Sequence, residues 1–262
     1  MQVKKLGYIL FVGAFATICI LPVAVMPWQV EKAVGNEQLA SFPELRKEDG
    51  NFNTGILNDF ADYFADHFGF RHEMITLNDW LTEAAFKTLD SNSVLLGKDS
   101  WLFYKSTLED YTGTNLFTAR QSYAAAHALG LMQEYCEQND IDFCFTIAPN
   151  KNSMYSSQMP ARYAAASVRN AQLLKQQMEQ QNVRYIDLFE VLSNSKEQLY
   201  YRLDSHWNMR GAQLAAQALL EELKGCEVEF DPFVTGKKLP HTGDLYEMVY
   251  PAGSETEQDT AY

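Results

Sequence analysis

Residues 141–149 have the sequence Ile-Asp-Phe-Cys-Phe-Thr-Ile-Ala-Pro, an apolar and aromatic run that ends at a proline. The run predicts a buried strand, because it is short, rich in β-preferring residues and bounded by turn-forming residues. Helical patterns flank it at residues 118–139 and 164–182, and further strands are predicted at 184–188 and 228–230. Strands that alternate with helices predict a parallel sheet with both faces covered, so the expected fold is an α/β, three-layer α/β/α sandwich.

A second informative stretch comes after the strand at 184–188, where residues 200–212 read YYRLDSHWNMRGA. In an extended segment residues i and i+2 project from the same side, so Asp204 and His206 are expected to share a cleft while Ser205 points away. A carboxylate beside an imidazole fixes the histidine tautomer and stabilises the imidazolium, which is half of a nucleophilic hydrolase or transferase site. The alternative is a packed, hydrogen-bonded histidine, since the tripeptide alone is weak evidence.

Such a site also needs a nucleophile. Ser100 lies in a polar turn between two apolar runs, which predicts a β-hairpin over residues 94–104. A nucleophilic serine more usually follows a strand and begins a helix. Ser153 has the best position among the other serines, because its loop at 150–155 follows a predicted strand, where open α/β sheets bind ligands. The weaker alternatives nearby are Ser156 and Ser157.

The N-terminus predicts a membrane anchor. Lys4 and Lys5 precede a run without charged residues at 6–28, which as a helix would span about 34 Å, enough for a hydrocarbon core of about 30 Å. The run is longer than the apolar part of a secretory signal and lacks a small-residue cleavage pattern, which favours an uncleaved signal anchor over a cleaved signal peptide. The two lysines place the remainder of the chain outside the cytoplasm. The predicted organisation is an anchor at 1–30, a linker at 31–55 and one domain at 56–262.

Composition restricts the possible partners. The 262 residues include 34 acidic and 21 basic side chains, for a formal net charge of -13. This balance excludes nucleic acid as the expected partner, because phosphate binding needs a basic face. A neutral or partly acidic polysaccharide held by aromatic side chains remains compatible. With five histidines and no His/Cys cluster, no metal ion and no cofactor are predicted.

The remaining segments carry weaker patterns. Apolar periodicity predicts helices at 56–70, 73–88 and 208–223, the last capped by Asn208 and ended by Gly225. The buried stripe expected on that last helix consists of Ala212, Ala216, Leu219 and Leu223. Residues 188–193 are expected to form a short turn, and residues 251–262 an unstructured loop.

Six segments together resemble one family, the extracytoplasmic SGNH-hydrolase-like O-acetyltransferases of the alginate acetylation type. Each segment is modest evidence alone, but they occur in the family's order after the anchor and cover nearly the whole chain. The segments are LASFP at 39–43, FADHFGFR at 64–71, GKDSWLFY at 97–104, APNK at 148–151 with Tyr155, YRLDSHW at 201–207, and GDL at 243–245.

The resemblance implies an SGNH-hydrolase-like domain that moves acetyl groups onto an exopolysaccharide or cell-surface glycan outside the cytoplasmic membrane. Such proteins usually work beside a multi-spanning membrane acyltransferase that supplies the acetyl group. The resemblance also implies a Ser-His-Asp triad in which Asp204 orients His206 and His206 is the base. The family's serine lies in a block after the GDL segment, whereas this sequence ends at Tyr262. Either the domain at 56–262 is incomplete at its C-terminus, or the protein lacks its nucleophile.

Candidate substrate-binding residues surround the Asp-His pair. Their aromatic rings would stack on sugars, with core packing as the alternative, and the lysine would line the cleft, with an exposed loop position as the alternative. The set is Lys151, Tyr155, Tyr201, Arg202 and Trp207. Two other functions stay open, namely a non-catalytic polysaccharide-binding or scaffolding relative at the membrane surface and an esterase that passes acetyl to water.

Overall fold

The computed structural model describes residues 2–29, 33–34, 37–89, 91–227 and 238–260. Within these ranges the α-helices are α1 Gln2–Val25, α2 Ile56–Asp66, α3 Arg71–Phe86, α4 Leu108–Thr112, α5 Ala119–Glu137, α6 Lys151–Met154, α7 Asn170–Gln180, α8 Leu188–Ser193, α9 Met209–Lys224 and α10 Asp244–Val249. The strands are β1 Val94–Leu96, β2 Leu102–Tyr104, β3 Phe145–Thr146, β4 Tyr185–Ile186, β5 Lys238–His241 and β6 Glu257–Thr260.

The chain divides into two compact units. The first unit comprises Met1–Leu81 with Glu247–Gly253, and the second comprises Thr82–Tyr246 with Ser254–Tyr262. The domain boundaries predicted at residues 30 and 55 remain a proposal. All the candidate site residues belong to the second unit.

The first unit begins with α1. Its segment Lys5–Val25 is, among the described residues, the one helix long and apolar enough to cross a membrane. Most of its apolar side chains are exposed. The turn between α2 and α3 meets the residues after α1, where the side-chain oxygen of Gln29 accepts a hydrogen bond from the backbone N–H of Phe70 at 3.0 Å. Phe70 has a φ of 61°, so the helix predicted at 56–70 ends early, at Asp66.

The predicted hairpin at 94–104 is confirmed. β1 and β2 pair antiparallel, with Leu95 opposite Phe103. The turn is tight, because Asp99 and Ser100 both have positive φ angles, of 52° and 57°. The hairpin contributes to a core cluster of Leu95, Trp101, Phe103, Tyr111 and Met159. Ser100 is therefore a turn residue, as the apolar runs on both sides predict.

The α/β class is confirmed by two parallel strands and the two helices beside them. β3 and β4 pair in parallel, with Phe145 opposite Tyr185, and α5 and α7 pack together beside them. α5 begins at a capping box, in which Thr118 and Gln121 satisfy each other's backbone N–H groups. The strands are shorter than the apolar runs, because pairing is recorded for two residues in each.

Two boundaries in this region were predicted wrongly. The helix expected at 164–182 extends only over Asn170–Gln180, and the turn expected at 188–193 is the helix α8. α8 begins there because the Asp187 carboxylate caps it, accepting from the backbone N–H groups of Phe189 and Glu190 at 3.0 and 3.2 Å.

The α9 boundaries are confirmed, but its predicted buried stripe is wrong. Asn208 caps the helix by accepting from the N–H of Gly211 at 3.0 Å, and Gly225 ends it with a φ of 65°. The buried residues are Gly211 and Ala215, while Ala216 and Leu223 are exposed. The reason is the missing side chain at 211, where an added Cβ would lie 2.4 Å from the carbonyl oxygen of Leu199.

The C-terminal segment was also predicted wrongly in part. Within residues 251–262, expected to be an unstructured loop, Glu257–Thr260 forms β6 and pairs antiparallel with β5. The register places His241 opposite Glu257. The strand predicted at 228–230 lies outside the described residues. The β5–β6 pair brings the end of the chain next to the Asp-His stretch, as the next section describes.

Candidate active site

A side-chain-to-backbone turn brings the predicted pair together. Asp204 Oδ1 accepts both the backbone N–H of His206 at 2.8 Å and its Nδ1 at 2.7 Å. Residues 202–206 form a bend, not the extended segment that the sequence predicts. Ser205 consequently does not point away: its Oγ lies 3.3 Å from His206 Nδ1. Asparagine and aspartate side chains commonly accept a hydrogen bond from the backbone N–H two residues further on. This is why a spacing of two residues brings Asp204 to His206 in a bend as well as in a strand.

The Asp204 carboxylate is buried and held ionised. Only 4% of the residue is exposed. Burial by itself raises the pKa of Asp204, but hydrogen bonds from the His206 backbone, the His206 and His241 side chains and the Asp244 backbone lower the pKa to about 2. Asp204 is therefore a carboxylate at any physiological pH, and it accepts hydrogen bonds without donating any.

His206 faces solvent on the other side. Its side chain is 73% exposed, although Nδ1 is bonded to the buried carboxylate. Since the carboxylate only accepts, Nδ1 carries the proton in the neutral ring, and Nε2 carries the free lone pair. Among the described residues, the recorded contacts of the ring nitrogens all involve Nδ1. In this tautomer Nε2 is the nitrogen that can accept a proton.

Two further residues, His241 and Asp244, complete the cluster, and the sequence assigned no role to either. His241 Nε2 lies 2.8 Å from Asp204 Oδ2, and the backbone N–H of Asp244 donates to the same oxygen at 3.2 Å. Asp244 Oδ1 accepts from the backbone N–H of Ser205 at 2.7 Å. The close approach depends on Gly243, where an added Cβ would lie 2.2 Å from the carbonyl oxygen of Leu203. In the sequence, the GDL segment at 243–245 was the feature that could have indicated Asp244 as a site residue. Nothing in it, however, indicated contact with Asp204, 40 residues earlier in the chain.

Lys151 fixes the backbone beneath the pair. Its Nζ donates to the carbonyl oxygens of Leu102 at 2.6 Å, Arg202 at 2.8 Å and Asp204 at 2.8 Å. The residue is 5% exposed, so these three bonds use the donors of a buried ammonium group. Burial lowers the pKa of Lys151 to about 7, and the nearby charges of Glu257, Asp204 and Asp244 oppose that effect. Lys151 therefore joins the hairpin to the bend at residues 202–206.

The other candidate substrate-binding residues occupy different positions. Tyr201 stacks on His241, with ring centroids 4.0 Å apart, and so lies directly at the cluster. Arg202 pairs with Glu255 at 2.5 Å, and its own backbone N–H donates to Glu257. Tyr155 and Trp207 pack against the core cluster of Leu192, Leu199 and Tyr200. Tyr201 and Arg202 thus lie beside the Asp-His pair, whereas Tyr155 and Trp207 pack into the core next to it.

The serines considered above do not meet His206 Nε2 in the recorded contacts. Ser153 Oγ accepts from the guanidinium of Arg169 at 2.5 Å, while Ser156 and Ser157 are exposed on a 3-10 turn. Ser205 Oγ reaches only Nδ1 of the ring and donates to Asp244 Oδ2 at 2.5 Å. In the part of the chain that the structure describes, none of these four serines is therefore seen in contact with Nε2 of His206.

A cavity of about 180 Å³ opens beside Ser205. Its lining residues include Phe103, Tyr104, Asn150 and Asn152. Asn152 is 1% exposed; its amide nitrogen donates to both oxygens of Thr107, and its Oδ1 has no recorded partner. The segment at 150–155, which the sequence predicts as a loop, contains the short helix α6 and provides polar groups and space next to Ser205.

The same cluster has the donor set of a cation site. One ligand atom each from Asp204, His206 and Asp244 lie within 4.8 Å of one another. The sequence predicted no metal site, because it has five histidines and no His/Cys cluster, and Asp244 was not considered as a ligand. The Asp204–His206 bond already uses Nδ1, so a cation there would have to replace the proton that orients the ring.

Comparison with known proteins identifies what the chain resembles. The family model described as the SGNH hydrolase-like domain of the acetyltransferase AlgX matches residues 94–260. The proteins named probable alginate O-acetylase AlgJ from Pseudomonas putida and Pseudomonas syringae pv. tomato are each 29% identical, over 162 and 165 residues, covering 58% of this chain. The chain spans 40% of the length of these two relatives.

Two solved structures are similar in part. The O-acetyltransferase domain of Pseudomonas putida AlgJ is 26% identical with a TM-score of 0.47, and the match covers 64% of this chain and 63% of that one. Bacillus cereus PatB1 is 16% identical with a TM-score of 0.43, and the match covers 65% of this chain and 55% of that one.

Proposed function

The chain belongs to the SGNH hydrolase-like acetyltransferase family of AlgX, and from this premise we propose that the protein transfers O-acetyl groups to a polysaccharide. The observation that carries the proposal is the bond between the buried Asp204 carboxylate and Nδ1 of the exposed His206, 2.7 Å long. This arrangement supports His206 as a general base with Asp204 as its orienting group. The relatives named alginate O-acetylase support a polysaccharide as the acceptor.

In the proposed reaction, the nucleophile is a serine that is not among the 262 residues of this sequence. Together with His206 and Asp204 it forms the triad. His206 Nε2 takes the proton of the serine hydroxyl as the serine oxygen attacks the carbonyl carbon of an acetyl donor. The imidazolium, stabilised by Asp204, then returns this proton to the leaving group of the donor. An acetyl-serine ester remains on the enzyme.

The second half of the reaction repeats the same proton movements. A sugar hydroxyl gives its proton to His206 Nε2 and attacks the acetyl-serine carbonyl. The serine oxygen leaves and regains the proton from the imidazolium, and the acetyl group is now an ester of the polysaccharide. His206 therefore serves both half-reactions, which is consistent with its 73% exposure to the cleft.

The partners belong to the same proposal. The apolar segment Lys5–Val25 supports a single-pass membrane anchor, with the catalytic unit on the extracytoplasmic side. A multi-spanning membrane acyltransferase would supply the acetyl group there. The proposed substrate-binding residues next to the pair are Tyr201 and Arg202, with the amide-lined cavity beside Ser205 as space for a bound group.

A transfer assay with the full-length protein from its own membranes tests this function. The acetyl donor is p-nitrophenyl acetate, the acceptor is deacetylated alginate, and the product measured is polysaccharide-bound ester. We expect ester to form, and His206→Ala to reduce its rate by about 10²–10⁴-fold, the usual contribution of a general base. His127→Ala is the matched control, because His127 is exposed on α5 outside the site.

Two results would contradict the proposal. Release of acetate without any ester on the polysaccharide would mean an esterase. Ester formation at the wild-type rate by folded His206→Ala protein would remove the Asp-His pair from the mechanism.

A further inference from the structure

We propose that His241 is a positioning residue that holds the Asp204 carboxylate in the orientation His206 requires. The inference rests on the proposed function, in which His206 is the base. It concerns a residue 37 positions further along the chain, on a strand that the sequence did not connect with the site. The geometry carries it: Asp204 lies between two imidazoles, with Oδ1 bonded to His206 Nδ1 at 2.7 Å and Oδ2 bonded to His241 Nε2 at 2.8 Å.

The two bonds define the rotation of the carboxylate. With one oxygen held by each ring, Asp204 cannot turn about its terminal torsion without breaking one of them. Such terminal torsions are otherwise broad, so a second donor narrows the range of orientations. The backbone N–H of Asp244 adds a weaker bond to Oδ2 at 3.2 Å. An oriented carboxylate keeps Nδ1 of His206 protonated and its Nε2 directed into the cleft.

His241 itself is well placed to be rigid. Its ring stacks on Tyr201 with an interplanar angle of 21°, and it ends β5, which pairs with β6. It is 34% exposed at the side chain, far less than His206 at 73%. This difference in exposure suits different roles. The exposed ring of His206 can meet substrate, whereas the partly covered ring of His241 is suited to holding the Asp204 carboxylate.

The bond also fixes the proton on His241. Asp204 is ionised and can only accept, so Nε2 of His241 must carry a hydrogen in either charge state of the ring. The titratable groups that meet His241 are Asp204 at its Nε2, Tyr201 on its ring face and Glu257 opposite it on β6. Asp244, Lys151 and Arg202 contact Asp204 or Glu257 through the bonds already described. Loss of the His241 donor would allow the carboxylate to rotate, which would weaken its bond to His206 Nδ1.

Steady-state transfer by the full-length protein provides the first test, with His241→Leu and His241→Gln compared. Leucine removes the donor, and we expect kcat to fall about 10–100-fold, a typical effect of losing an outer partner, with KM changed less than about twofold. The acidic limb of the pH–rate profile should move to lower pH, because a carboxylate that has lost its second donor is less well oriented to stabilise the imidazolium of His206. Glutamine places an amide N–H near the position of Nε2 and should restore most of kcat and the wild-type limb.

A purely structural role for His241 predicts something else. In that case both variants would lose activity in proportion to the folded protein lost, and the pH limb of the remainder would not move. That result, or wild-type kcat in folded His241→Leu protein, would overturn the proposal. His127→Leu is the control, since it removes an exposed imidazole elsewhere in the same unit.

Proton NMR separates this inference from the proposed function. The Nδ1–H of His206, bonded to a carboxylate, should give a downfield signal in the full chain in detergent micelles. We expect the signal in the wild-type and His241→Gln proteins, and broadening or loss in His241→Leu. An unchanged signal in His241→Leu would contradict positioning, whether or not acetyl transfer is found. If His241→Leu loses the signal and the wild-type protein transfers no acetyl, the positioning role is supported and the transfer reaction is rejected.

Discussion

At the residue scale, the Asp204 carboxylate accepts from two imidazoles and two backbone N–H groups. Its ionisation therefore contributes to the stability of the folded state as well as to the proposed chemistry. A folded pKa near 2, against about 3.9 in the unfolded chain, corresponds to a stabilisation on the order of 2 kcal/mol. Because the folded pKa is the lower one, this stabilisation is present above about pH 4 and is lost as the pH falls toward 2.

The corresponding prediction concerns acid denaturation. Between pH 5 and 2 the free energy of unfolding of the wild-type protein should fall by about 2 kcal/mol more than that of Asp204→Asn, which has no carboxylate to protonate. Urea titrations at a series of pH values measure the difference. Asp140→Asn serves as the control, because Asp140 is exposed. Equal pH dependence in the wild-type and Asp204→Asn proteins would contradict the assigned ionisation.

The sequence predicted part of this residue-scale site and could not predict the rest. The spacing of Asp204 and His206 is local, and a bend brings the two together as effectively as the expected extended segment. His241 reaches Asp204 through the pairing of β5 with β6 and the close approach at Gly243, neither of which has a local pattern. Lys151 was predicted to line the cleft, and it is among the residues that line the cavity beside Ser205, but nothing in the sequence indicates that it is buried.

At the element scale, Lys151 joins β2 to the catalytic bend through three backbone carbonyl groups. Lys151→Met keeps the volume but removes the ammonium donor from three backbone carbonyl groups. The Arg202 carbonyl still accepts from the backbone N–H of Leu102 at 3.0 Å, so we expect a loss of about 2 kcal/mol or more in the free energy of unfolding. Lys175→Met removes a partly exposed pair with Asp187 and should cost less than about 1 kcal/mol. Denaturant titration compares the two variants. Similar small losses in both would mean that the Lys151 bonds do not hold the bend.

Gly243 gives a second element-scale prediction, because it allows the segment between β5 and α10 to lie against Leu203. Gly243→Ala places a methyl group 2.2 Å from a carbonyl oxygen and should destabilise the protein by about 1–3 kcal/mol, with reduced acetyl transfer. Gly130→Ala is the contrasting control. Its added methyl meets nothing closer than 3.8 Å within α5, so it should stabilise the helix by up to about 1 kcal/mol. Gly243→Ala protein with wild-type stability and activity would contradict the close approach.

The elements themselves were predictable to different degrees. Local signals set the ends of α5 and α9, where Thr118, Asn208 and Gly225 act as caps, and the hairpin at 94–104. The predictions that were wrong depend on distant contacts. β6 exists because β5 pairs with it, and α9 buries Gly211 because the Leu199 backbone approaches there. Such pairings are decided by the tertiary structure and leave no periodic trace in the sequence.

At the scale of the whole molecule, the proposed function requires the catalytic unit to be anchored at a membrane. The segment Lys5–Val25 has the length and composition for this. Phe15→Arg places a charge near its middle, at a cost of about 2.5–3.5 kcal/mol for membrane insertion, and should move much of the protein from the membrane pellet to other fractions. Leu131→Arg alters an exposed leucine of α5 and should not. Unchanged sedimentation of Phe15→Arg with membranes would contradict anchoring by this helix.

The central claim is that Asp204 acts through His206 in acetyl transfer. The most direct test is a double-mutant cycle on the rate of ester formation on the polysaccharide, with Asp204→Asn, His206→Ala and both together. Each single variant should be slower by at least about 10²-fold, and the double variant no slower than His206→Ala alone, because residues that act as a unit are not additive. Losses that multiply in the double variant, or a wild-type rate in either single variant, would contradict the account.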